Sequence, residues 1–128
     1  MTVYPLGSTE TYVGDSLIAG DFPRVTKTVT ILSGQVIARG TLLGQITSGG
    51  KFIKSLSAAV DGSQTPAAIL ADDVDASDGD VTAGVYFSGE FNAAAIVFGA
   101  SHTASSVDAG LRQRSIFLKT GILPSDPV

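Results

Sequence analysis

Residues Val25 to Leu32, VTKTVTIL, constrain this chain more than any other stretch. Six of these eight residues are β-branched, and β-branched side chains lose rotamer freedom in a helix. Read at period two, Val25, Lys27, Val29 and Ile31 share one face. Thr26, Thr28, Thr30 and Leu32 share the other, so the spacing predicts a strand. The next twenty or so residues have the same character. Glycines at 34, 40, 44, 49 and 50 punctuate the short apolar runs Val36-Ile37, Leu42-Leu43 and Phe52-Ile53. This reads as a meander of short strands joined by tight turns.

The stretch Pro66–Phe98 continues the pattern. Strands are expected at Ala67 to Ala71 and Val81 to Ser88, with a third extended piece over Glu90 to Phe98. Two β-turns would join the three, one of them acidic. Ala93-Ala94-Ala95 favours helix, but Ile96, Val97 and Phe98 favour strand, and strand is the expectation. Ser57 to Thr65 reads as a polar turn. One helix is predicted, Ala104 to about Arg114. Thr103 is its N-cap, and Ala104, Val107 and Leu111 line one face. Arg112 and Arg114 fall in its last turn, where the helix dipole favours cations. Ile116 to Thr120 reads as a final strand, before a breaker-rich tail.

Composition narrows the function classes. Charged residues make up 16% of the 128-residue chain, against about 25% in a typical soluble domain. Two readings fit: an exterior partly covered by other protein, or a compact glycine-rich β domain. Net charge is −4, and without a run of Lys or Arg there is no footprint for nucleic acid or an anionic membrane. With no cysteine and one histidine, disulfides, thiolate sites and His-rich zinc sites are excluded. The longest apolar run, Ala93 to Phe98, is far short of a membrane span. The start shows no signal-peptide pattern, so a protein made and used in the cytoplasm, or in something assembled there, is expected.

Four constellations invite a chemical reading. Asp72, Asp73, Asp75, Asp78 and Asp80 offer oxygen ligands, but the Gly and Glu positions of a calcium loop are not met. The plainer reading is a solvated turn whose like charges block edge pairing. His102 has Ser101, Ser105, Ser106 and Asp108 as sequence neighbours, which cannot form a catalytic triad from the start of one helix. It reads as a hydrogen-bonding or packing residue. Ser48-Gly49-Gly50-Lys51 lacks the spacing of a phosphate loop and reads as a hairpin turn. Glu90 and the aspartates make no paired-carboxylate site. The residues alone point to a non-catalytic β-rich module with no cofactor.

Residues 1–20 stand apart as an extended N-terminal arm, with 21–128 as the β domain. The arm mixes Thr, Ser and Gly with spaced apolar residues and shows no period. Its Thr and aromatic content suits a strand added to another sheet's edge. Packing on its own domain is the competing expectation.

The order of motifs resembles the phage head-decoration protein family, the lambda-type capsid-stabilising proteins. The resemblance rests on Ile-Leu-Ala-Asp-Asp-Val from Ile69, Val-Tyr-Phe-Ser-Gly-Glu-Phe-Asn from Val85, the His102-Thr103 helix start and Arg112-x-Arg114-x-Ile-Phe-Leu. The Gly34-Gln35-Val36-Ile37, Gly40–Gly44 and Gly50-Lys51-Phe52 turns agree, so it covers about residues 25 to 120. It implies a mainly β fold, a bent-ribbon (β-clip-like) incomplete barrel with one short α-helix and an extended N-terminal arm. It also implies a homotrimer on three-fold sites outside an icosahedral head, where it would clamp major capsid protein against DNA pressure. Val3, Tyr4, Leu6, Tyr12 and Val13 are the expected capsid-binding residues, although no family motif falls on them. A small β-barrel binding or adhesion module of another phage or bacterial assembly is the alternative.

Overall fold

A computed structural model describes residues 16–120. Strands β1 (Thr26–Ile31), β2 (Val36–Ile37), β3 (Leu42–Gln45), β4 (Phe52–Lys54), β5 (Pro66–Leu70), β6 (Val74–Asp75), β7 (Val81–Tyr86) and β8 (Gly89–Asn92) precede helix α1 (Ala104–Arg112). Strand β9 (Ile116–Lys119) comes after it. Five strands close into a barrel in the order β1-β4-β3-β5-β7. The seam is narrow. β1 and β4 meet in parallel at the single pair Ile31 and Phe52, reinforced by Leu32 N donating to Phe52 O at 3.1 Å.

Strand alternation explains the doubled apolar residues of β3 and β5. Leu43 and Leu70 point into the barrel with Ile31, Phe52, Ala68 and Val85. Their neighbours Leu42 and Ile69 point outward, into a second cluster with Leu17, Phe91, Ile96, Val107, Leu111 and Ile116. Strands covered on both faces need apolar residues at every position. β3 bends at a register shift between Leu43 and Gly44. Any Cβ at Gly44 would collide with the Ser63 backbone.

The expected hairpin at Phe52 forms. β3 and β4 are antiparallel, and the Ser48–Lys51 turn closes through Ile46 N to Lys51 O at 2.8 Å. The meander is broken at Val36-Ile37, however. β2 leaves the barrel and pairs with β6 in a separate two-stranded ribbon. That ribbon is built into the acidic turn, so Val74 and Asp75 are strand residues where only a turn is expected from sequence.

Two further expectations are corrected after β7. No hairpin joins it to the next strand; β8 pairs instead with β9, in parallel. The Ser88-Gly89 bend redirects the chain: Ser88 Oγ donates to Pro23 O at 2.8 Å and accepts from Val25 N at 3.0 Å. Gly89 takes φ +142°, and a Cβ there would meet the Phe91 ring and Arg24. The strand expected over Glu90 to Phe98 also stops early, at Asn92. The buried Asn92 side chain accepts from Ala94 N at 3.0 Å and caps a single 3-10 turn, Ala93–Ala95. A side chain that bonds its own downstream backbone competes with the sheet ladder. Beyond it only Val97 pairs, with Thr41.

The helix forms where the sequence places it and ends two residues short of Arg114. Thr103 Oγ1 accepts from Ser106 N at 3.1 Å, and Ser106 Oγ accepts from Thr103 N at 2.8 Å. This reciprocal cap satisfies two otherwise orphaned donors. Val107 and Leu111 are buried. Gly110 faces open space, so its cost is conformational and the packing of Val107 and Leu111 must offset it.

Candidate interaction surface

The end of the segment set apart as an arm is part of the packed domain. Leu17 and Ala19 are buried, and Ile18 bridges antiparallel to Phe91. Asn92 N donates to Leu17 O at 2.8 Å, and Ala19 N donates to Glu90 O at 2.9 Å. Residues 17–19 thus add a short strand to β8 on the side away from β9. Val3, Tyr4, Leu6, Tyr12 and Val13 lie outside the described residues.

Glu90, half-buried, fastens the next turn of chain. Its Oε1 accepts from Phe22 N at 3.1 Å, and Lys119 Nζ lies 3.6 Å from its other oxygen. The Phe22 amide, with the Lys119 charge behind it, holds the Glu90 carboxyl below the usual carboxylate range. Phe22 then stacks edge-on against Phe117, with ring centroids 5.0 Å apart. The result is an open groove of about 530 Å³ lined by Phe22, Val25, Phe87 and the cations Lys27 and Arg114. Lys27 Nζ sits 6.0 Å from the Phe87 ring centre. Sequence reading assigns this surface no role, because its parts lie up to 92 positions apart (Phe22 to Arg114).

The acidic residues lie between β5 and β7, in the stretch that contains β6. Asp73 Oδ1 accepts from Arg39 N, and Asp80 Oδ1 from Ser33 N, both at 2.8 Å. Asp80 also pairs with Lys51, and these partners hold its carboxyl below the usual range. Asp75 is lowered by the Ser77 hydroxyl and amide. These carboxylates fix loop backbone, and all five are exposed. Among the described residues no three His, Asp or Glu side chains form a metal-holding group. Between the acids a second groove of about 440 Å³ is lined by Val36, Ile37, Ala38, Asp73, Val74 and Asp75. Val36 is 68% exposed there.

His102 does meet a serine, though not one of its sequence neighbours. Its Nε2 lies 3.1 Å from Ser55 Oγ. The Ser55 hydroxyl donates to Ser63 O at 2.7 Å, so with its proton committed there Ser55 accepts from the imidazole. Ser55 is fully buried. The pair braces the loop after β4 against the loop before α1, as a hydrogen-bonding histidine would.

The pattern is a barrel with two exposed grooves and carboxylates that serve the backbone. Residues 7–117 match the family described as Bacteriophage lambda head decoration protein D. The chain belongs to this family. Comparison with individual curated proteins gives no significant match. The family is structural, not enzymatic, and membership makes this a phage head-decoration protein that binds the capsid of the virion. The match takes in Tyr12 and Val13 and begins after Val3, Tyr4 and Leu6.

Proposed function

We propose that the chain acts as a homotrimer at three-fold sites on the outside of an icosahedral head. There it clamps neighbouring major capsid subunits against the pressure of packaged DNA. The family match over residues 7–117 carries this reading, and the anchored strand at residues 17–19 supports it. A segment that adds a strand to a capsid sheet needs a fixed end on its own domain. The buried Leu17 and the two hydrogen bonds to β8 would supply one. Strand addition relies on main-chain bonds, which suits a segment without strict side-chain pattern. Three such segments on one trimer bind multivalently, so modest single contacts give firm attachment. Val3, Tyr4, Leu6, Tyr12 and Val13 are the residues proposed to touch the capsid.

Deleting residues 1–15 tests this cleanly, because it spares Leu17. The truncated protein should stay folded and self-associate, yet fail to co-sediment with expanded heads. Undiminished head binding would overturn the role given to the arm.

A further inference from the structure

The two grooves are opposite in charge and share no lining residue. The basic groove lies beside the Thr26–Tyr86 end of β1 and β7. The acidic groove runs along the β2–β6 ribbon, which Gly34 N extends by donating to Ala76 O at 2.8 Å and which Arg39 N closes by donating to Asp73 Oδ1 at 2.8 Å. Lys27 and Arg114 form no ion pair with any described residue, and neither do Asp72, Asp73, Asp75 and Asp78. The ribbon therefore presents an exposed apolar side chain, Val36, flanked by carboxylates. The basic groove presents an apolar trough, Phe22, Val25 and Phe87, flanked by cations.

We infer that the β2–β6 ribbon of one subunit docks in the Phe22–Val25–Phe87 groove of a second copy of this chain, head to tail. Val36 enters the trough, and Asp73 and Asp75 face Lys27 and Arg114 of the neighbour. A contact between two different patches of the same chain is heterologous, and it forms a closed ring when the rotation per subunit closes. A trimer is such a ring, so the inference rests on the trimer of the proposed function and names its interface. The occupant is a second copy because both of the complementary charged patches are carried by this one chain. Opposed patches of this kind fix register and exclude wrong partners.

Charge reversal in the full-length chain tests it, with association followed by sedimentation equilibrium. Lys27→Glu with Arg114→Glu should weaken self-association about 100-fold, since like charges would then face each other. Asp73→Lys with Asp75→Lys should do the same. All four changes together should restore association, because both patches are then inverted. Circular dichroism confirms that each variant is folded. If the Asp75 variant is not, Val36→Glu replaces it and should weaken association to a similar degree. Wild-type association should also fall as salt is raised and screening grows. Trimers that persist unchanged in the reversed pairs would overturn the interface and leave the trimer standing. So would a folded fourfold variant that stays dissociated. Loss of head binding with self-association intact would assign the basic groove to the capsid protein, against this inference. A wild-type chain that stays monomeric both free and on heads would overturn the trimer itself.

Discussion

The barrel and the layer packed on it are built from the same kinds of residue but by different routes. The barrel closes mainly through antiparallel neighbours, and its interior is filled by alternate residues of five strands. The second layer gathers Leu17, Phe91, Val107, Leu111 and Ile116 from the two halves of the chain around Leu42 and Ile69. Its β8–β9 pair is parallel and spans the helix, and residues 17–19 reach β8 from the far end of the chain. Loop closure must come before such contacts form. Periodicity in one segment predicts the first kind of assembly. It says little about the second, because the second depends on which distant pieces meet.

Four substitutions test how far the two layers differ. The largest effect is expected from Phe91→Ala, which empties a fully buried site in the second layer and should cost about 3–5 kcal/mol. Hydrogen exchange in that variant should show α1 and β9 losing protection before β1 and β7. Uniform loss across both regions would mean that the two layers are one cooperative unit. Leu17→Ala should cost about 2–5 kcal/mol by the same cavity argument, measured by urea denaturation. A cost under about 0.5 kcal/mol would show that residues 17–19 are not part of the core. Ser55→Ala strands His102 Nε2 and the Ser63 carbonyl, for about 1–3 kcal/mol. Thr103→Ala removes a cap at the edge of the second layer, for about 1 kcal/mol, read as a lower unfolding midpoint.

The smallest effect concerns pH. Asp75, Asp80 and Glu90 are lowered in the folded chain, so the unfolded chain binds protons first as pH drops. Their contribution is complete above the ordinary carboxylate range, near about pH 4, and is lost as pH falls through the lowered folded values. Thermal midpoints should therefore decline below about pH 4, and Glu90→Gln should flatten that decline. An unchanged profile would show that the Phe22 amide and Lys119 do not hold the Glu90 carboxylate.

The barrel strands were legible because their chemistry is local. β1 follows from the β-branched run within Val25–Leu32, and α1 from Thr103 and the Val107–Leu111 face. The strand drawn through Ala93–Phe98 fails because composition cannot show that Asn92 turns its side-chain oxygen onto Ala94 N. The hairpin after β7 fails for a similar reason, since Ser88 finds partners at Pro23 and Val25. His102 reads correctly as a bonding residue, but its partner, Ser55, is 47 positions away. Both grooves escape sequence reading because each is assembled from separate elements. The decoration-protein family was recognisable without them, because its motifs lie along single strands and turns.

The pairing at Leu17–Ala19 also has a mechanical side. Its two hydrogen bonds lie across the strand direction, as in any antiparallel ladder. A pull on the chain ahead of Ser16, drawn along that strand, would load both bonds and the seated Leu17 side chain together. A pull directed away from the sheet would peel them one at a time. The anchor is therefore strongest against tension along the surface and weakest against lifting, which would make an attachment stiff towards a swelling shell and releasable from outside.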